Sequence, residues 1–411
     1  MSKRLTKREK KKLSKFVFRN WKALLIIALL LVVLFVVAYY MGWIDIIRNY
    51  FRDDDPIMSQ AGGHVTEVNE FGDLQVNFLN IGQGDCIIIE LPDGKNMIID
   101  SGDDDDDQSV IADFAEANNI TSFDYLLLTH QDADHVGNMN WVIDNYKIGY
   151  IFRPNNYSNH TYSADLPEDF NIKVDIDGAY ESTTKSYAEF MVSAYNEKCI
   201  VEITNKDSDF TNKLVCGERE MEYTFNFLTP TAKREDVVYK KANDYSPIMM
   251  LEYAGKRVMF NGDAEEKVLE EYVEAYGDDF NVDVLKVGHH GSSNATSIDF
   301  VSSIDPEYAV IQCGLNNEYG HPHEAALDIF DNHEGGVVLY RNDTNGNITL
   351  SISSEGALSW DLQDDDITNN YVPGKKKTQT VTSAVLVDDC IEYVIKELWK
   401  ESLMIRKRVY E

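Results

Sequence analysis

Cysteine is scarce in this chain: five among 411 residues, at positions 86, 199, 216, 313 and 390. An odd count excludes complete intramolecular pairing, and the absence of any Cys-x-x-Cys excludes a zinc ribbon. Cys86 and Cys313 fall in apolar, strand-like runs and read as core thiols. Cys199 and Cys216 could bridge in an oxidising exterior, a pairing that spacing alone does not establish. Positive charge is also in short supply, with 38 Lys and Arg against 70 Asp and Glu and a net charge of −32. Ten of those basic side chains lie in residues 1–22, opposed there by Glu9 alone. The remainder is therefore more acidic than the total. A body so charged repels polyanions at long range, which counts against broad nucleic-acid binding. No internal repeat stands out. Gly82-Gln83-Gly84-Asp85 is not followed by a helix, so it is no dinucleotide fingerprint and reads as a tight strand turn.

Long uncharged runs are equally rare, and the exception is Ala23 to Ile44. At a helical rise of about 1.5 Å per residue this run spans roughly 33 Å, enough for a hydrocarbon layer of ~30 Å. Trp21 flanks one end and Tyr39, Tyr40 and Trp43 the other, where amphipathic rings prefer the membrane interface. The bulky residues at its end lack the small side chains of a cleavage site. Residues 23–44 are therefore expected to form one transmembrane helix. The basic segment 1–22 is expected in the cytoplasm, with the body outside the cell membrane.

Residues 45–72 mix charge, Pro and Gly and read as a spacer. Strand signals then begin at Leu74–Ile81, Cys86–Leu91 and Asn96–Asp100. A helix is expected at 109–118, a buried strand at Phe123–Thr129, a helix at 136–145 and a strand at 148–153. The polar stretch of about 154–220 reads as an insertion, with a helix at 187–198. Strands resume at 223–228, 248–253, 257–261, 284–287, 308–313, 337–340 and 348–352, with helices at 265–275 and 323–332 between them. This order predicts one α/β sandwich domain over 73–361. Residues 362–411 form an extension with a possible helix at 384–406.

Chemistry concentrates at strand ends. Phe123–Thr129 delivers Thr129-His130-Gln131-Asp132-Ala133-Asp134-His135, four imidazole and carboxylate groups within six residues. Such a mixture suits zinc, manganese or iron. Val284–Val287 ends in Gly288-His289-His290-Gly291, of which one histidine should reach a metal. Arg257–Asn261 ends in Gly262-Asp263. Alone this is a turn or a helix cap, but beside the histidines its carboxylate is a natural bridge between two cations. Five of the nine histidines, His130, His135, His289, His290 and His321, hold such strand-end positions.

The segments NFLNIGQGDCIIIELPDGKNMIIDSG (77–102), LLLTHQDADHVGN (126–138) and NDYSPIMMLEYAGKRVMFNGDAE (243–265) come first. VDVLKVGHHGSSNATS (282–297), NNEYGHP (316–322) and YRNDTNGNITL (340–350) follow. Together they resemble the metallo-β-lactamase superfamily, and within it the extracellular hydrolase domain of the ComEC competence proteins. The resemblance covers about residues 74–360. It implies an αββα sandwich binding one or two divalent cations at its sheet edges. His130 and Asp132 would hold one cation, Asp134 and His135 the second, with Asp263 bridging and His289 or His290 completing the shell. Asp132 stands where most of the superfamily has histidine, a harder ligand that lets manganese compete with zinc. Asp100 would support the site from behind. The superfamily usually has a further histidine before the bridging Asp. Here only His160 lies in that interval, and it is not assigned as a ligand.

The implied activity is hydrolysis by a water activated on the metal, with a phosphodiester as the first substrate class. Asp134, His321, Asn243 and Ser246 are the candidate catalytic residues, His321 as a proton donor to the leaving group or a substrate-positioning group. The Asp103–Asp107 run reads as a solvated acidic loop. Lys256, Arg257, Lys286 and Arg341 could form a local basic patch despite the acidic body. Wall-polymer esters such as teichoic-acid substituents fit the same chemistry. Lactone or other ester or amide hydrolysis is the enzymatic alternative, and an anchored sensor or scaffold the non-catalytic one. Protease shaving of intact cells tests the topology: digestion of the body is expected, and its protection would reverse the orientation.

Overall fold

The computed structural model describes residues 64–103, 107–173, 179–197, 199–232 and 236–364. The expected basic segment, transmembrane helix, most of the spacer and the tail with its possible helix lie outside the described residues. Among the described residues no helix is long and apolar enough to cross a membrane.

In chain order the strands begin with β1 (His64–Glu67), β2 (Leu74–Phe78), β3 (Ile87–Glu90), β4 (Asn96–Ile99), β5 (Ser122–Leu127) and β6 (Lys147–Arg153). Next are β7 (Tyr157–Ser158), β8 (Glu181–Ser182), β9 (Ile200–Ile203), β10 (Asp209–Cys216), β11 (Arg219–Phe227) and β12 (Met249–Tyr253). The last are β13 (Lys256–Phe260), β14 (Val284–Lys286), β15 (Tyr308–Ile311), β16 (Val338–Arg341), β17 (Ile348–Ile352) and β18 (Leu358–Leu362). The longer helices are α1 (Gln108–Ala117), α2 (Met139–Asn145), α3 (Lys185–Asn196), α4 (Glu266–Tyr276), α5 (Ile298–Ile304) and α6 (Glu324–Asp331).

Two eight-stranded sheets result, ordered β18-β17-β2-β3-β4-β5-β6-β9 and β1-β10-β11-β12-β13-β14-β15-β16. Each changes from antiparallel to parallel along its width. β2, β3 and β4 are antiparallel, and β4, β5, β6 and β9 are parallel. In the second sheet β10 to β13 are antiparallel and β13 to β16 parallel. Parallel neighbours need crossovers, and α1, α2, α4, α5 and α6 supply them.

Strands covered on both faces must be apolar throughout, as Ile87–Ile88–Ile89 and Met249–Met250–Leu251 are. Ile88, Ile98 and Leu126 face Ile111, Ala115, Val142 and Phe190 of α1, α2 and α3. Met250, Met259 and Leu285 face Val268, Leu269, Phe300 and Phe330 of α4, α5 and α6. Between the sheets, ring centroids lie 6.5 Å apart for Phe78 and Phe260, 5.0 Å for Tyr125 and Phe225, and 5.2 Å for Phe152 and Phe227. The architecture is therefore the expected αββα sandwich.

Two expectations change, and the open pairing of Cys199 with Cys216 is answered. Residues 154–220 are not one insertion: they supply α3, β9 and β10, and only the short β7–β8 pairing lies outside both large sheets. Their polar sequence hides this because β10 has much of its length half-exposed. The spacer ends earlier than residue 72, since β1 pairs in parallel with β10. No disulfide joins Cys199 to Cys216, and none joins Cys86 to Cys313. Cys199 precedes β9 of the first sheet and Cys216 ends β10 of the second, and the Cys216 thiol donates to the Asn69 carbonyl at 3.1 Å.

Phe225 is completely buried and meets Phe210, Tyr125 and Phe152 at centroid distances of 4.6, 5.0 and 5.7 Å. Phe225→Ala should lower stability by about 3–5 kcal/mol. The check is a urea midpoint that falls while the slope is unchanged.

Candidate metal centre

Carboxyl ends of parallel strands are where α/β sheets gather functional side chains, and here two sheets contribute ends to one place. β4 runs into Asp100, and β5 into Thr129 and His130. A helical turn, Ala133–Val136, carries Asp134 and His135. From the second sheet β13 leads into Gly262-Asp263, and β14 into a 3-10 turn, Gly288–Gly291. Gly262 has a φ of +49°, and a Cβ there would lie 2.8 Å from the Thr129 Cβ. The absence of a side chain lets the Asp263 turn of one sheet approach the His130 strand of the other. A Cβ on Gly84, φ +143°, would lie 2.4 Å from the Asp134 carbonyl. That explains the glycine turn before Asp85.

Asp100, His289 and His290 have φ values of 56°, 47° and 53°. Left-handed backbone at non-glycine residues costs about 1–3 kcal/mol each. The surroundings hold it: the His289 amide donates to the Gly262 carbonyl at 3.1 Å, and the Ser292 amide to the His289 carbonyl at 2.8 Å.

The result is a tight group of ligand atoms. His135 Nε2 and His290 Nε2 are 3.3 Å apart. Asp134 Oδ2 lies 3.2 Å from His290 Nε2, Asp263 Oδ1 3.2 Å from His135 Nε2, and Asp263 Oδ2 3.4 Å from His290 Nε2. Tetrahedral ligands at about 2.0–2.1 Å from a shared cation sit roughly 3.3 Å from one another. A looser group shares Asp263: its Oδ2 is 3.8 Å from His130 Nε2 and 3.8 Å from His289 Nε2, and Asp132 Oδ2 is 3.8 Å from His130 Nε2. His130 Nε2 is buried and has no hydrogen-bond partner. An orphaned imidazole nitrogen facing two carboxylates fits a cation, and nitrogen and oxygen donors without thiolate fit zinc, manganese or iron.

Asp85 also places a carboxylate oxygen within 4.8 Å of ligand atoms of His135, Asp263 and His290. It approaches the back of the rings, however, with Oδ1 3.3 Å from His290 Nδ1 and Oδ2 4.0 Å from His135 Nδ1. Its other partner is Lys286 Nζ at 2.6 Å. Asp134, on the Nε2 side, completes the tight group better.

Supporting contacts turn each Nε2 inward. His135 Nδ1 is 2.8 Å from Asp100 Oδ2, which also accepts from Thr129 Oγ1 at 2.6 Å. Thr129 Oγ1 lies 3.2 Å from His130 Nδ1. His290 Nδ1 donates to the Gln312 carbonyl at 2.9 Å. Asn243 Nδ2 bridges Glu265 Oε1 and His289 Nδ1, 3.2 Å from each, and Ser246 Oγ accepts from the Asp263 amide at 3.0 Å. Asn243 and Ser246 thus hold His289 and the Asp263 turn. His321 is 5% exposed, its ring 5.3 Å from His289 and 5.9 Å from His290, with Gln83 Nε2 3.5 Å from its Nδ1. It borders the group without joining it. His160 accepts from the Tyr162 amide at 3.2 Å and caps a 3-10 turn.

Gln312 escaped the sequence reading, which placed Gln83 and Asp85 only in a turn and Lys286 only in a basic patch. The one signal was Asp85 beside the Gly-Gln-Gly turn, which was read as structural. The four side chains that could have formed a basic patch are each paired with a carboxylate. Lys286 is fully buried on Asp85, Lys256 pairs with Asp283 at 2.6 Å, Arg257 with Glu252 at 3.4 Å, and Arg341 with Asp343 at 2.5 Å. Of the acidic run, 104–106 lie outside the described residues. A cleft of about 960 Å³ beside α5 and α6 shares no residue with the histidine group and brings no comparable donors together.

Burial, aided by His135, pushes His130 down to about 4, leaving the ring neutral and able to ligate. Burial and the neighbouring His290 and His289 take His321 down to about 3. Burial, with Asp134, raises Asp132 to about 6. Burial alone would lower His135 and His290, but Asp263, with Asp100 or Asp134, holds both well above the usual imidazole range. Such a group would give up protons on binding a cation. Cation affinity should therefore fall as pH drops from 7 to 5 through the Asp132 value. Calorimetry in buffers of different ionisation enthalpy should show proton release on binding.

Residues 79–217 match the family described as Metallo-beta-lactamase superfamily. ComE operon protein 3 of Bacillus subtilis (strain 168) is 26% identical over 290 residues, covering 67% of this chain and 32% of that protein. Competence protein ComA of Neisseria gonorrhoeae is 30% identical over 151 residues, covering 36% of this chain and 21% of that protein. The matched region thus spans a third or less of these curated relatives. Among solved structures, the metallo-beta-lactamase fold protein YhfI from Bacillus subtilis has a TM-score of 0.38 at 12% identity, covering 70% of this chain and 100% of that one. The αββα layers and the gathered imidazoles and carboxylates thus accompany a match to the metallo-beta-lactamase superfamily over residues 79–217 and a resemblance to the ComEC-type competence proteins.

Proposed function

We propose that this protein is a membrane-anchored hydrolase, acting outside the cell on a phosphodiester through one or two divalent cations, zinc or manganese. The observation that carries the reading is the pair of Nε2 atoms of His135 and His290, 3.3 Å apart and flanked by Asp134 and Asp263. Buried groups so arranged repel or trap protons unless a cation joins them.

Asp134, His135, Asp263 and His290 would hold one cation. His130, Asp132 and His289 would hold a second, with Asp263 shared. A bound divalent cation supplies Lewis-acid polarisation of the scissile ester and a nucleophilic water of near-neutral pKa. Asp100, Thr129 and the Gln312 carbonyl keep the rings oriented while the reaction proceeds. His321, lowered to about 3, is neutral at pH 7 and so positions substrate by hydrogen bonding instead of delivering a proton as imidazolium. Its supports, Gln83 and the Asn317 carboxamide that accepts from the His321 amide at 2.9 Å, keep it at the rim.

The phosphodiester class rests on the ComEC resemblance. The net charge of −32 favours a short or small ester over a long polyanion gripped along its backbone. Strained backbone at both His289 and His290 disfavours the scaffold alternative, since a scaffold has no need of it.

Purified full-length protein in detergent should hydrolyse bis-p-nitrophenyl phosphate with manganese or zinc. Asp134→Ala should lower kcat/KM by about 100-fold or more and reduce the bound metal. Unchanged activity in that variant would overturn the site assignment. Faster turnover of a lactone than of any phosphodiester would redirect the substrate class. Elemental analysis without transition metal would favour the scaffold.

A further inference from the structure

Behind the histidine group lies a buried ion pair that the proposed reaction does not use. Lys286 and Asp85 are 1% and 2% exposed at their side chains, with Lys286 Nζ 2.6 Å from Asp85 Oδ2. The ammonium also donates to the Val287 carbonyl at 2.9 Å. Asp85 is tied by its backbone to both neighbouring motifs: its amide donates to the Asp134 carbonyl at 3.1 Å, and its carbonyl accepts from the Gly102 amide at 2.9 Å. Its Oδ1 is buried without a hydrogen bond, 3.3 Å from His290 Nδ1. That nitrogen is already engaged by the Gln312 carbonyl at 2.9 Å. Asp85 thus lies behind the rings with a carboxylate oxygen within 4.8 Å of ligand atoms of the group, yet is bound to a fixed positive charge.

We infer that Lys286 is an internal counter-cation that keeps Asp85 out of the coordination shell and sets the charge, and so the cation affinity, of the site. This rests on the metal-dependent reading above and adds a positioning pair to it. The physical basis is charge arithmetic in a dry interior. With both partners present, their charges cancel at the cation. Remove the carboxylate charge and the ammonium opposes cation entry. Remove the ammonium and a freed carboxylate draws the cation in. A pair that only filled space would weaken binding whichever partner was lost, because either loss leaves a buried charge unpaired and loosens the site.

The test is calorimetric titration of manganese into metal-stripped full-length protein in detergent, with circular dichroism confirming the fold of each variant. Asp85→Asn should bind at least about tenfold more weakly, and Lys286→Met at least about tenfold more tightly. The double variant Asp85→Asn/Lys286→Met, neutral overall like the native pair, should return to within about threefold of the wild type. Weaker binding in both single variants, or unchanged binding in Asp85→Asn, overturns the inference. Should Lys286→Met not fold, the comparison of Asp85→Asn with the double variant decides: equal weakness in the two overturns it. A wild type that takes up no manganese or zinc removes the metal-dependent reading itself. Normal wild-type uptake without opposite shifts removes only the role of Lys286.

Discussion

One buried carboxylate organises the site. Asp263 faces four imidazoles, with His135 at 3.2 Å, His290 at 3.4 Å, and His130 and His289 at 3.8 Å. Two of these rings come from the first sheet and two from the second. Burial would normally raise such a carboxyl, but the surrounding rings, His135 foremost, hold it well below the usual carboxylate range. The two sheets therefore meet at an electrostatic contact that is satisfied by protons or by metal.

The fold makes the contact possible through connectivity. Parallel strands with helical crossovers expose their carboxyl ends at one edge, and both sheets turn that edge toward the same point. The aromatic layer between the sheets, from Phe78–Phe260 to Phe152–Phe227, sets the spacing. Stability supplied there by apolar burial offsets left-handed backbone at Asp100, His289 and His290. Strain of this kind persists only where the surroundings over-determine it, and here it coincides with the gathered ligands.

Charge is handled locally against an acidic background. Lys286 is buried on Asp85, and Lys256 and Arg341 are each tied to an aspartate. A polyanion would thus find few unpaired cations among these residues.

Local pattern in the sequence determined a good deal. Apolar runs ending in His130, His289 and Asp263 announced strands delivering ligands, because a run buried on both faces must be a central strand and its end must lie at a sheet edge. The helices expected at 109–118 and 265–275 appear within a residue at each end. Tertiary structure alone decided what depends on a partner distant in sequence. β10 gave a weak signal because it is half-exposed, and β1 because it pairs with β10. Asn243 and Ser246 stood out in sequence as candidate helpers of the site, and folding shows what they hold: His289 and the Asp263 amide. Asp85 and Lys286, 201 positions apart, carry no mark of their pairing in either local stretch. An ion pair is a property of the space between two residues, and only folding creates that space.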